Sequence, residues 1–191
     1  MLHAGMAVSS LNWAKKHKRE FDRVLSVCDP STHPNRTLSF NQAPRLPHLT
    51  LRFADLDTPA DGHYAHYRDA RLASEDDVAK ALAFDLPGDK LLVHCKVGIA
   101  RSTALAYAIL CQRAGPGREQ EAFASLLELQ PHAVPNLHVV GLADALLGRN
   151  GAMFAPLHAH EAAHPECGRR RTENRKAYHD HFRFNCVRET F

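Results

Sequence analysis

A cysteine and an arginine that bracket five residues stand out in Cys95-Lys96-Val97-Gly98-Ile99-Ala100-Arg101-Ser102. The stretch lies between the apolar run LLVH and a helix-forming run that begins at Arg101. A loop at the start of a helix presents backbone N–H groups without intrahelical partners, and the helix dipole adds positive potential there. Such a loop is an anion site. Gly98 permits the tight turn that wraps Lys96, Val97, Gly98, Ile99 and Ala100 into a cradle. A thiol at the bottom of the cradle feels the same field, which favours the thiolate, the nucleophilic form. Cys95 is therefore the candidate nucleophile for attack on phosphorus. Arg101 offers a planar, permanently charged fork that matches two phosphate oxygens and strengthens as charge spreads over them in the transition state; lysine would not replace it. Ser102 is placed to hydrogen-bond the sulfur and ease its departure, and His94 to hold the loop through hydrogen bonds rather than to carry protons.

The elements that must position this loop are legible from pattern. RVLSV (23–27) is short, apolar and β-branched and runs into Cys28-Asp29-Pro30, as a buried strand runs into a loop. In LTLRF (49–53) apolar residues alternate with Thr50 and Arg52, the period of a strand, and Asp55 and Asp57 follow at its carboxyl end, where open α/β sheets place ligands. Ser74 and Asp77 form a capping-box start for a helix through about Phe84. RSTALAYAILCQRA (101–114) predicts a buried helix stopped by Gly115-Pro116-Gly117, and helices are also predicted over 118–130 and 137–147. Strands alternating with helices predict an α/β fold, a mainly parallel central sheet flanked by helices, with a strand-loop-helix active site.

VHCKVGIARS resembles the HCxxGxxR[ST] signature of the cysteine-based protein tyrosine phosphatase superfamily. GIARST is similar to the GxSRS form of the dual-specificity branch, with Ala100 where a serine is usual. Pro135-Asn136-Leu137 before VVGLADALL resembles the PNxGFLxQL segment of that branch, so the resemblance runs from about Arg23 to Leu147 and implies that Asn136 braces the loop. It implies a phosphomonoester hydrolase that works through a cysteinyl-phosphate, with no cofactor and no metal, on a phosphorylated protein or another phosphomonoester. On the match of FADL to the family's acid segment, Asp55 is the general acid, with Asp57 and then Asp61 as alternatives. In some relatives a cysteine at the position of Cys28 forms a reversible disulfide with the nucleophile; the plainer reading of Cys28 is a small buried residue. Lys96 resembles the HCKAG form of some lipid-directed members, which carry a second basic residue where this chain has Ile99. No counterpart of the pocket-deepening loop of classical tyrosine-specific domains is evident, Asn35-Arg36 being a poor substitute. A shallow pocket that admits phosphoserine and phosphothreonine as well as phosphotyrosine is expected. Two other readings stand beside this one: a rhodanese-like sulfurtransferase, whose cysteine loop also sits at a helix start, and a phosphate-binding scaffold, which would be expected to lack Cys or Arg.

The bulk properties fit one catalytic domain. The 191 residues are 45% hydrophobic and 24% charged, an ordinary soluble composition, and no apolar run is long enough to cross a bilayer. A net charge of +3 is too mild to point to nucleic acid. The first residues show no basic segment followed by an apolar one, and five scattered cysteines fit no disulfide framework, so a cytoplasmic protein with reduced thiols is expected. Residues 1–150 are read as the catalytic domain and 151–191, rich in Arg and His with weak apolar periodicity, as an appendage, a helix or a mobile tail, whose charged run is either a solvated face or a contact for an anionic partner. Tyr64 and Tyr67 are read either as flanking the pocket mouth or as ordinary packing residues.

Overall fold

The computed structural model describes residues 2–40, 46–57 and 70–186, with side chains to 178 and at 180. Four strands, β1 (Met6–Ser10), β2 (Arg23–Cys28), β3 (His48–Arg52) and β4 (Leu91–Cys95), form one all-parallel sheet in the order β1-β4-β2-β3. β4 pairs with β1 (Ser10 beside Cys95) and with β2 (Ser26 beside His94), so the loop after it emerges from the middle of the sheet at its carboxyl edge.

The side chains of β4 divide between the two faces as the pleat requires. Leu91, Val93 and Cys95 join the main core, while Leu92 packs with Ala14, Val24 and Leu38 on the other side. Ala14 belongs to α1 (Leu11–His17), capped by Ser10. The main core lies beneath α2 (Glu75–Phe84), α3 (Arg101–Ala114), α4 (Glu119–Leu129) and α5 (Leu137–Leu146). The capping box of α2 is in place, with Asp77 N–H donating to Ser74 Oγ and Ser74 N–H to Asp77 Oδ2. α3 is buried from Arg101 through Cys111, as a helix apolar on nearly every side must be.

Two features beyond the sequence reading matter for the site. β1, whose five residues MAVSS carry little apolar signal, adds an edge strand that backs the cysteine loop. Residues after Gly151, read from sequence as an appendage, fold into α6 (Phe154–Ala163) and α7 (Pro165–Cys186). Met153 and Leu157 are fully buried in the main core, and Tyr107 Oη donates to the Met153 carbonyl at 3.0 Å. Among the described residues no helix is long and apolar enough to cross a membrane.

Candidate active site

The loop between β4 and α3 is held from its outer side. The carbonyl of Lys96 accepts from Leu11 N–H, that of Gly98 from Gln130 Nε2 at 3.1 Å, that of Ile99 from Val134 N–H at 2.9 Å and that of Ala100 from Asn136 N–H. In a planar trans peptide the C=O and the following N–H point opposite ways. Outward carbonyls therefore turn the N–H groups of Val97, Ile99, Ala100 and Arg101 inward. Gly98 N–H points at Cys95 Sγ, 3.2 Å away, and Ser102 Oγ–H donates to the same sulfur at 3.3 Å. No side chain caps the start of α3, which leaves its first amides to whatever the cradle holds. Gly98 is required twice over. Its φ is +86°, and a Cβ there would stand 2.5 Å from the backbone carbon of Ser9 in β1.

Arg101 is 4% exposed. Its Nη1 donates to Asp29 Oδ1 at 3.0 Å and to the Phe53 carbonyl at 2.8 Å, which anchors one corner of the guanidinium. Its Nε is buried and has no partner among the described residues. An unsatisfied buried donor of a permanently charged group is costly unless an anion meets it, so the free edge of the fork is built for a ligand.

His94 is buried, and its Nε2 lies 2.6 Å from Ser26 Oγ, which is also 2.7 Å from His48 Nε2. Burial holds His94 down to about pKa 4, against a smaller opposing effect of the Cys95 carbonyl near Nδ1. The ring is therefore neutral at physiological pH, a holder of the loop rather than a cationic neighbour of the sulfur.

Asp55 follows β3 and is partly buried. Burial raises its carboxyl above the ordinary range; Arg101 and a hydrogen bond from Asn136 Nδ2 to Oδ1, 3.1 Å long, oppose this. Asn136 also donates to the Leu56 carbonyl, and its Oδ1 caps α5 by accepting from Val139 N–H. It thus ties the cysteine loop, the Asp55 segment and α5 together. Asp57 is engaged elsewhere: its carboxylate takes the Leu137 N–H at 2.6 Å and pairs with Arg171. Asp61, Tyr64 and Tyr67 lie outside the described residues.

Cys28, Asp29, Asp55, Cys95 and Arg101 all line one cavity of about 1070 Å³. Burial pushes the Cys28 thiol up, and its Sγ lies 3.8 Å from the Leu51 carbonyl. Lys96 and Val97 are exposed at the loop's tip, and Arg36 stands on the cavity wall. Sequence reasoning missed Asp29 and the α7 residues Arg171, Asn174 and Tyr178. Asp29 stands at the carboxyl end of β2, a position that the ligand rule for open sheets singles out. The helix residues carry no comparable signal. α7 contributes Arg170, Asn174 and Tyr178 to the lining of the cavity.

This parallel sheet, with its cysteine loop running into a buried helix, has the fold of solved structures of phosphatase-like and dual specificity phosphatase proteins. The chain is similar to human tyrosine phosphatase-like serine/threonine/tyrosine-interacting protein, at 20% identity over 76% of this chain and 93% of that one, with a TM-score of 0.51. It is likewise similar to human DUSP28, at 23% identity over 79% and 96% with a TM-score of 0.51, and to a mouse putative dual specificity phosphatase solved with zinc tungstate, at 22% over 80% and 87% with a TM-score of 0.51. No family model matches the chain, and no curated protein matches its sequence.

Proposed function

We propose that the chain is a cysteine-dependent phosphatase that hydrolyses phosphomonoesters on protein side chains, phosphotyrosine together with phosphoserine or phosphothreonine. The observation that carries this reading is the cradle itself: inward amides and the unpartnered Arg101 Nε surround a sulfur that already accepts two hydrogen bonds.

The phosphoryl oxygens take the inward N–H groups and the free edge of Arg101, which brings phosphorus over Cys95 Sγ. The thiolate attacks, the S–P bond forms and the P–O bond to the leaving group breaks. Asp55, whose carboxyl burial pushes above the ordinary range, delivers its proton to the leaving oxygen. The Asp55 carboxylate then takes a proton from water as that water attacks phosphorus, and the S–P bond breaks with Ser102 Oγ–H donating to the departing sulfur. Nucleophile, clamp and acid are all side chains, so the reaction draws on no cofactor.

The test is phosphate release from p-nitrophenyl phosphate and from a phosphotyrosine peptide, abolished in Cys95→Ser and unchanged by EDTA. Arg101→Lys is expected to lose about 10²-fold or more despite its charge, since the ammonium cannot make the two-point contact. Asp55→Ala should cost on the order of 10²-fold with a poor leaving group and much less with p-nitrophenol. Turnover that persists in Cys95→Ser, or sulfur transfer from thiosulfate in place of phosphate release, would overturn the assignment.

A further inference from the structure

α7 meets the segment after β3 along one stripe. Arg171, Asn174 and Tyr178 stand three and four residues apart and so share a helix face. Each meets a different group. Arg171 pairs with the Asp57 carboxylate at 3.2 Å, Asn174 Nδ2 donates to the Asp55 carbonyl at 2.6 Å, and Asp55 N–H donates to Tyr178 Oη at 3.0 Å. Both main-chain polar groups of Asp55 are thus held by side chains of one helix. The Tyr178 hydroxyl proton goes to Asp29 Oδ1, the oxygen that also receives Arg101 Nη1. Its ring packs on Ala54, Leu56 and Ala70.

Asp55 lies in neither a strand nor a helix, so no ladder of its own element fixes its backbone. A general acid must reach the leaving oxygen at about 2.6–3.2 Å, and a displacement of about 1 Å can cost 10²-fold. Asn136 sets the carboxyl group, but a side chain is only as well placed as the backbone that bears it. We infer that α7 is a positioning element for the general acid, in which Asn174 and Tyr178 clamp the Asp55 peptide groups from outside the catalytic fold. Neither touches the reacting atoms. The inference rests on the proposed phosphatase reading with Asp55 as acid.

The test uses the full chain with two substrates, p-nitrophenyl phosphate and phenyl phosphate, which differ in their need for a proton on the leaving oxygen. Asn174→Ala should lower kcat/KM on phenyl phosphate about tenfold and several-fold less on p-nitrophenyl phosphate, with the basic limb of the pH–rate profile flattened. Combined with Asp55→Ala it should bring no further loss on phenyl phosphate, because the group it positions is gone. Tyr178→Phe keeps the ring in its apolar contact and guards against a folding failure of the first variant; it should show the same excess loss on phenyl phosphate, above a component common to both substrates that arrives through Asp29 and Arg101. Equal losses on both substrates in Asn174→Ala, the same loss repeated in the Asp55→Ala background, or no loss at all would overturn the inference and leave α7 a structural buttress. A wild-type chain that releases no Cys95-dependent phosphate from either substrate would instead remove the phosphatase reading itself.

Discussion

Acid should weaken the fold through His94, and the structure supplies the size of the effect. The ring is 3% exposed and is held down to about pKa 4, against an ordinary value of 6.5 in an unfolded chain. Below 6.5 the unfolded chain takes up a proton that the folded one refuses, so stability is complete above that pH, falls as pH drops, and reaches its full loss only below about 4. At about 1.4 kcal/mol per unit of pH the gap amounts to about 3 kcal/mol, of which about 2.5 is already lost at pH 4.5. That is a large share of the 5–15 kcal/mol usual for a domain. Urea unfolding of the wild type and of His94→Gln at pH 7.5 and 4.5 isolates the contribution. The variant starts lower at pH 7.5 because the Ser26 contact is altered, but its stability should fall by about 2.5 kcal/mol less between the two values. His48, which shares the Ser26 hydroxyl and is itself held down by burial, titrates in both proteins and cancels in the difference. Equal losses in the two proteins, or a His94 ring that NMR finds titrating near 6.5, would refute the argument.

Two further perturbations test the frame of the site. Gly98→Ala forces a side chain into a left-handed turn and against the β1 backbone, so it should cost more than about 2 kcal/mol and abolish phosphate release; a variant of wild-type stability in thermal melts would show that the loop gives way more easily than its contacts imply. Leu157→Ala empties a fully buried position of α6 and should cost about 2–5 kcal/mol in urea unfolding, whereas a helix merely appended to the domain would lose under about 0.5.

A neutral His94 leaves the polar surroundings of the Cys95 sulfur to other groups. In a cysteine–histidine pair an imidazolium supplies the compensating charge. Here His94 carries no charge above about pH 4, and its Nε2 is turned to Ser26 rather than to the sulfur. Gly98 N–H and Ser102 Oγ–H donate to Sγ, and the inward amides at the start of α3 and the Arg101 guanidinium complete the cradle. All but the last are dipoles fixed by the fold. They need no proton of their own, and they hold their orientation when phosphate leaves.

The legible part of this molecule is the part whose signals are local. The strand before Cys95, Gly98, the buried run from Arg101 and the Ser74 capping box each state their structure within a few residues, and each appears where the pattern puts it. β1 fails that test because MAVSS has only Met6 and Val8 to mark an inward face; it is a strand because Leu91 to Cys95 offer it a ladder. α7 fails more completely. Its charged run has no continuous apolar stripe, so neither periodicity nor composition predicts that it packs on anything. The face that matters carries Arg171, Asn174 and Tyr178, and what they hold is an Asp57 carboxylate and the peptide groups of Asp55. Those groups come together only once β3 has paired with β2 and delivered the chain to the edge of the sheet. A polar stripe of this kind has meaning only against its partner, and that partner lies more than a hundred residues away in the sequence.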